Sequence, residues 1–294
     1  MTTYTNLLGR FNERLYPMTQ TELLSILAAA GVLPGAGGRT ILAAPTTFYI
    51  ATTGSDSNTG LTSGSPWLTP GHAYAVLTSL YDFGGQDVTV QAAAGTYSFA
   101  GLQFTNPWSG GGTLTFQGDL VTPDNVVFNS SGLYVFLNSC TLPGVLNFYG
   151  MKITAAAGAG IRNIGIGSMQ FKNLDFGLCA SYHNAAAVTG AIVKAVGPYT
   201  ISGGAQAHLF AGQNGFMQAT ANVVTITGTP AFSTAYAVAL GLGNVSGNGA
   251  TFIGTATGVR YNASGNALIQ SGGGGPNYFP GDSVGVTSLG GVYT

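Results

Sequence analysis

Apolar and polar positions alternate along much of the stretch from residue 88 to residue 176. Short runs with an apolar residue at every second position end in Gly, Asn or Asp, as at 114–118 and 146–150. Such alternation is typical of strands with one buried face, and the closing residues favour turns. Phe116, Phe148 and Phe171 recur at intervals of 32 and 23 residues, a loose period typical of stacked coils. The pattern predicts a β-solenoid.

Helical patterns precede this body. An apolar stripe at helical spacing contains Leu7, Leu8, Phe11 and Leu15 and ends before Pro17. A second helix is predicted to begin at a capping box formed by Thr19 and Glu22 and to end near residue 31. These helices can cover the first coil, attach the protein to another structure, or do both.

A third helix is predicted just after the first strand of the body. Thr69 suits the N-cap position and Pro70 the first helical position. Upstream, Asp56 and Asn58 occupy the first and third positions of a possible calcium loop, but its twelfth position is Trp67 rather than Glu. We therefore expect a turn capped by side chains and no metal site.

The order of motifs at the start of the body is specific. The sequence FYIATTGSDSNTG at 48–60 is followed by SPWLT at 65–69, VTVQ at 88–91 and AGTY at 94–97. This order resembles the opening of pectate-lyase-like right-handed parallel β-helix proteins, and many phage tail spikes and tail fibres begin their β-helix in this way. The glycine-rich strands near the C-terminus resemble terminal segments of phage and prophage tail proteins. Fold, but not activity, follows from such a resemblance.

The expected fold class is all-β, a right-handed parallel β-helix with short N-terminal helices and a small β-rich C-terminal region. Three segments follow from the pattern: a helical attachment or capping segment at 1–45, the β-helix at 46–220, and the C-terminal β-rich region at 221–294. The ends of a solenoid need covers, because open strand edges aggregate. The capping-box helix and the glycine-rich tail are suitable covers.

Charge is scarce in this sequence. Only 6% of the 294 residues are charged, against about 25% in a typical soluble domain. A long uncharged flank favours association with identical copies, and we expect a homotrimer. The net charge of −1 argues against a nucleic-acid partner, and no apolar run is long enough for membrane insertion. Cys140 and Cys179 fit two small buried side chains, with a disulfide as the alternative.

Catalytic chemistry has few candidates. Glycoside hydrolysis normally needs two carboxylates at one sugar, and the weak candidates are Asp119, Asp124 and Asp175. Asp119 and Asp124 flank a proline in a turn that they can cap, while Asp175 follows Lys172 as if the two pair. The remaining cations, including Arg162 and Lys194, look isolated, and His72, His183 and His208 lie in unrelated contexts. No metal site or cofactor is expected, and an enzyme is less favoured than a structural protein.

Glycan binding has aromatic candidates instead. Trp108 lies in a glycine-rich loop, and Tyr134, Tyr149 and Tyr182 lie in or beside predicted strands. A flat ring with a polar edge can stack on a sugar. The alternative is that these rings close solenoid corners or pack between subunits.

The function implied by the resemblance is that of a structural virion protein of a tailed phage, assembled in the cytoplasm of the bacterial host. It would form a homotrimeric spike or fibre that projects from the particle and contacts host cell-surface glycan. Other virion proteins would bind its N-terminus through Leu7, Leu8, Phe11 and Leu15. The alternative is a host-polysaccharide depolymerase, a glycosidase or lyase, on the same scaffold. A secreted adhesin is disfavoured because no signal peptide is recognisable.

Overall fold

The computed structural model describes residues 38–294. The two expected N-terminal helices, with Leu7, Leu8, Phe11 and Leu15, lie outside the described residues. The described chain is nearly all β-structure and winds into a right-handed parallel β-helix, which confirms the predicted fold class. Within this range, seven consecutive turns each contribute one strand to each of three parallel sheets.

The three sheets run along the solenoid. Sheet 1 has ten strands: Thr46–Ile50, Val88–Ala92, Leu114–Gln117, Leu146–Tyr149, Gly167–Lys172, Ala191–Ala195, Phe216–Gln218, Asn244–Ser246, Leu268–Gln270 and Val292–Tyr293. Sheet 2 has seven: Gly95–Phe99, Val126–Ser130, Lys152–Ala155, Asp175–Cys179, Tyr199–Ile201, Val223–Ile226 and Thr251–Ile253. Sheet 3 has eight: Leu102–Phe104, Tyr134–Asn138, Ala159–Asn163, Tyr182–Ala186, Ala207–Gly212, Ala237–Leu240, Tyr261–Ser264 and Val286–Ser288. Two small parallel pairs join Thr40–Ile41 to Tyr81–Asp82 and Ala231–Phe232 to Thr257–Gly258.

The core is a column of side chains stacked turn upon turn. Phe148 pairs in register with Phe116 on one side and Phe171 on the other, so the recurrence in the sequence is direct stacking. Phe136 of sheet 3 meets Phe148 across the interior, with ring centroids 4.1 Å apart. These four rings are fully buried, and aromatic packing of this kind is a major stabilising contribution.

The α-helix Pro70–Leu80 forms where it is predicted. Thr69 Oγ1 accepts a hydrogen bond from the His72 backbone N–H at 3.1 Å, as an N-cap does. Asp56 accepts hydrogen bonds from the backbone N–H groups of Leu68 and Thr69 and from the Thr69 hydroxyl, at 2.9–3.0 Å. The carboxylate therefore ties the loop to the helix start, 12 and 13 residues along the chain, rather than capping its own turn.

The strands after residue 220 continue the same three sheets to the end of the chain. The boundary expected there is not marked by a break in the sheets. The glycine-rich segment 272–275 leads into a loop that folds back over the last turns. Phe279 of this loop is buried, with its ring 5.9 Å from that of Tyr236, and the Tyr278 hydroxyl donates to the Gly247 carbonyl at 2.6 Å. The tail thus covers part of the core.

Both cysteines are free thiols. Cys179 is buried in sheet 2, where burial raises the pKa of its thiol to about 12. Cys140 is half-buried, and burial raises the pKa of its thiol also. Protonated thiols are poor nucleophiles, so the two residues act as small apolar side chains at neutral pH.

Candidate functional site

Asp119, the first of the weak catalytic candidates, caps its own turn. Its carboxylate accepts hydrogen bonds from the backbone N–H groups of Val121 and Thr122 and from the Asn125 amide, at 2.8–3.0 Å. The bond from Thr122, followed by those from Asn125 and Val121, lowers the pKa of the Asp119 carboxyl. These oxygens are engaged in local structure, as expected of a turn-capping residue.

The other two candidates meet around one lysine on the outside of sheet 2. Lys152 and Asp175 are register partners on neighbouring strands, and Lys152 Nζ lies 2.7 Å from Asp175 Oδ2. The 3-10 turn Pro123–Asn125 brings Asp124 Oδ1 to 3.4 Å from the same Nζ. The Ser202 hydroxyl donates to Asp175 Oδ2 at 2.7 Å. We call these four side chains the carboxylate cluster.

Burial and neighbouring charges shift the pKa values of Asp124 and Lys152 in the carboxylate cluster. Burial, then the neighbouring Asp175 carboxyl, raises the pKa of Asp124 against the opposing effect of Lys152. Burial by itself would lower the pKa of Lys152, but the two acids outweigh it and raise that pKa. Asp175 is buried, and its Oδ1 has no hydrogen-bond partner among residues 38–294. The arrangement brings two carboxyls together on the outside of sheet 2, yet the ammonium group of Lys152 already pairs with both of them.

The expected pairing of Asp175 with Lys172 is wrong. Lys172 Nζ lies 4.5 Å from the centre of the Tyr149 ring, a cation–π contact on sheet 1. Asn173, with φ of 50°, turns the chain between the two residues, so they face outward from different sheets. Proximity in sequence across this turn does not bring the side chains together.

The aromatic candidates for glycan binding differ in accessibility. Trp108 is 2% exposed, stacks on Phe83 and donates from Nε1 to the Gly111 carbonyl, so its ring closes a corner. The half-buried Tyr134 donates its hydroxyl to the Gln103 amide oxygen at 3.0 Å. Tyr149 is half-buried under Lys172.

Tyr182 lies in a groove on the outer face of sheet 3. Its ring stacks on Phe210 of the next turn, with centroids 4.3 Å apart and planes 25° apart. The groove encloses about 570 Å³ and spans four consecutive turns, from Arg162 to Leu240. We call it the sheet 3 groove. It combines an aromatic pair, a guanidinium group and the exposed side chain of Gln213 in one concavity.

A buried polar chain lies inside the solenoid beneath this region. The Nδ1 atoms of His183 and His208 are 3.0 Å apart, His183 Nε2 is 3.0 Å from the Gly177 carbonyl oxygen, and His208 Nε2 is 3.0 Å from the Tyr199 hydroxyl. A carbonyl only accepts, so His183 donates from Nε2 and accepts at Nδ1 from His208, which in turn accepts from Tyr199. Both rings are neutral in this arrangement. The expectation that the histidines lie in unrelated contexts is wrong for this pair.

Sequence reasoning misses the partners that lie one turn away. Lys152 and Ser202 complete the carboxylate cluster, and Phe210 and Arg162 complete the sheet 3 groove. A signal does exist for the histidines: they are separated by 25 residues, close to the length of one turn.

Two features, a metal-binding cluster and a membrane-crossing helix, are absent from residues 38–294. No group of three or more His, Cys, Asp or Glu side chains in this range is placed to hold a metal ion. The helices of the same range are too short or too polar to span a bilayer. Comparisons of the chain with protein-family models, with curated proteins and with solved structures found no match.

Proposed function

We propose that this protein is a structural virion protein of a tailed phage. It forms a homotrimeric spike or fibre, attaches to the particle through its N-terminal segment, and contacts glycan on the host surface with its β-helical body. The observation that carries the proposal is the outward-pointing face of sheet 1, on which polar and nearly uncharged side chains stack turn upon turn.

The side chains of that face stack in register along the solenoid axis. One outward column runs through Thr89, Thr115, Asn147, Gln170, Lys194, Gln218, Ser246 and Gln270. In a neighbouring column, the Gln117 amide donates to the Gln91 amide oxygen at 2.8 Å, which links two turns. Thr115, Asn147 and Ser246 of the first column are buried and its other members are half-buried, so these polar groups mainly join one turn to the next. Such a face suits the shaft of a spike or fibre.

The scarcity of charge supports association with identical copies. Uncharged flanks lack the repulsion that keeps elongated chains apart, and a closed trimer would cover them. Light scattering of the purified full-length protein at micromolar concentration measures its mass. A trimer is the expected result, and a monomer would overturn the oligomeric part of the proposal.

Incorporation into particles tests the virion part of the proposal. Mass spectrometry of purified phage particles should detect the protein. An antibody against the β-helical body should label a projecting structure in electron micrographs of the same particles. Absence of the protein from purified particles would overturn the proposal.

A depolymerase is the second candidate function, favoured by the meeting of Asp124 and Asp175. Glycoside hydrolysis needs two carboxyls at one sugar, one of them able to act as an acid, and the pKa of Asp124 is raised. Incubation with host capsule or lipopolysaccharide should then release new reducing or unsaturated ends. Asp124→Asn should abolish that release, and the matched turn variant Asp119→Asn should preserve it; equal activity of the two variants would remove the carboxylate cluster from the chemistry.

A further inference from the structure

We infer that the sheet 3 groove is a binding site for an acidic saccharide, with Arg162 as the carboxylate contact and the Tyr182–Phe210 pair as the ring platform. This inference rests on the proposed contact of the body with host glycan and adds the chemical class of the sugar and the residues that hold it.

The register of sheet 3 creates the space. Arg162, Ala185 and Phe210 are direct partners on three successive strands and face outward. Because neighbouring strands lie about 4.8 Å apart, the backbones that carry Arg162 and Phe210 are roughly 10 Å apart. Ala185 between them is small and is buried at the base of the groove. Above this base, the flat apolar face of a pyranose ring can lie against the aromatic wall formed by Tyr182 and Phe210.

The charge of the groove selects the ligand. Arg162 is exposed, and within residues 38–294 its guanidinium group makes no side-chain hydrogen bond and no ion pair. No acidic side chain of the described part of the chain lines the groove. A guanidinium group presents paired donors that match a carboxylate in a bidentate geometry. A uronic acid or another carboxylated sugar therefore fits this wall better than a neutral sugar.

Polar groups at the opposite rim of the sheet 3 groove would orient the bound sugar. Gln213 is exposed at the end of the strand Ala207–Gly212, and its carbonyl accepts a hydrogen bond from the Thr189 hydroxyl at 3.4 Å. Its side-chain amide offers both donors and an acceptor to sugar hydroxyls. A mostly apolar groove with a few placed polar groups is the usual composition of a small-molecule site.

Binding of defined oligosaccharides to the full-length protein tests the inference. The probes are hexasaccharides of galacturonate and of hyaluronan, with maltohexaose as the neutral control, followed by calorimetry and by saturation-transfer NMR. We expect at least one acidic hexasaccharide to bind and maltohexaose to bind at least about tenfold more weakly. Added salt should lower the affinity for the acidic hexasaccharide. Arg162→Gln should weaken binding by about 10- to 100-fold and Phe210→Ala by about tenfold.

The matched control is Lys172→Gln, which removes one positive charge beside a different ring, Tyr149. It should leave binding unchanged. Loss of binding in this variant but not in Arg162→Gln would overturn the inference by moving the site to sheet 1, and equal affinity for maltohexaose would remove the acidic specificity. Failure of every acidic probe to bind at millimolar concentration would also overturn it.

Two further readouts separate this inference from the proposed function. If Phe210→Ala changes the mass measured by light scattering, a second copy of the chain occupies the groove and the saccharide site is refuted. If the protein is found in purified particles but binds no acidic hexasaccharide, the groove assignment fails while the virion role stands. If it is absent from particles, the virion role fails whatever the binding result.

Discussion

Acid should unfold this protein through two histidines that are sealed in its core. His183 and His208 are fully buried, share a hydrogen bond between their Nδ1 atoms, and are packed against Phe176, Tyr199 and other aromatic rings. Adding a proton to either ring places a charge in an apolar interior, and a proton on Nδ1 of His183 also leaves two donors facing each other. The folded state therefore resists protonation, whereas the unfolded chain accepts it.

The magnitude follows from the pKa difference between the two states. Burial lowers the pKa of His183 from 6.5 to about 4, although hydrogen bonds to backbone carbonyls oppose the shift. At about 1.4 kcal/mol per pH unit, this difference contributes about 3 kcal/mol to the free energy of unfolding. Because the folded pKa is depressed, that contribution is fully present above pH 6.5 and is lost as the pH falls toward 4. Burial, then the charge of His183, lowers the pKa of His208 further, with the same sign.

Urea unfolding between about pH 7.5 and pH 4.5 measures this effect. The wild-type protein should lose about 3 kcal/mol or more over this range, and His72→Gln should behave in the same way because it changes a histidine outside the buried pair. The double variant His183→Leu/His208→Leu should be less stable at pH 7.5, where Tyr199 loses its acceptor, but should show a much flatter pH dependence. Asp119 and Asp282 titrate below this range and are common to all three proteins.

Two results would refute the reasoning. One is an equal loss of stability on acidification in the wild type and in the double variant. The other is a histidine NMR titration in which the His183 and His208 rings of the folded protein titrate near pH 6.5. The same spectra report the tautomers, for which we expect a proton on Nε2 of His183 and on Nδ1 of His208.

Two stability predictions concern buried polar groups. Asn184 lies between Ile161 and Leu209 in the inward column of sheet 3, and neither polar atom of its side-chain amide has a hydrogen-bond partner within residues 38–294. Asn184→Leu should therefore raise the urea midpoint by the equivalent of about 1–3 kcal/mol. A lower midpoint would contradict this prediction. Lys152→Met leaves the buried Asp175 without its counter-charge and should cost about 3 kcal/mol, with Lys194→Met on sheet 1 as a control that should cost less than 1 kcal/mol.

Local rules explain what could be predicted of the fold. The alternation around Phe116, Phe148 and Phe171 identifies the strands, because a strand buries every second side chain whatever its neighbours are. The helix Pro70–Leu80 is identified by its own cap, since Thr69 and Pro70 act within one turn of chain. Both kinds of evidence are contained in a few consecutive residues.

The candidate sites depend on register, which local rules do not supply. Lys152 meets Asp175 at a separation of 23 residues, whereas Gln91 meets Gln117 at 26 and Phe116 meets Phe148 at 32, because the turns between strands differ in length. One residue of slip turns an outward side chain inward. Tyr182 is therefore identifiable as an aromatic candidate, but its partner Phe210 emerges only when the turns are aligned.

The stacking of turns also determines how the β-helix can arrange the side chains that recognise a ligand. Every exposed group is repeated or replaced at steps of about 4.8 Å along the axis, so two recognition groups on one face are separated by whole numbers of turns. Arg162 and Phe210 are two steps apart, with Ala185 as the gap. A large side chain at position 185, which is buried at the base of the sheet 3 groove, should displace the side chains that line the groove and weaken saccharide binding. Specificity on such a scaffold is therefore set by which turns carry small residues and which carry large ones.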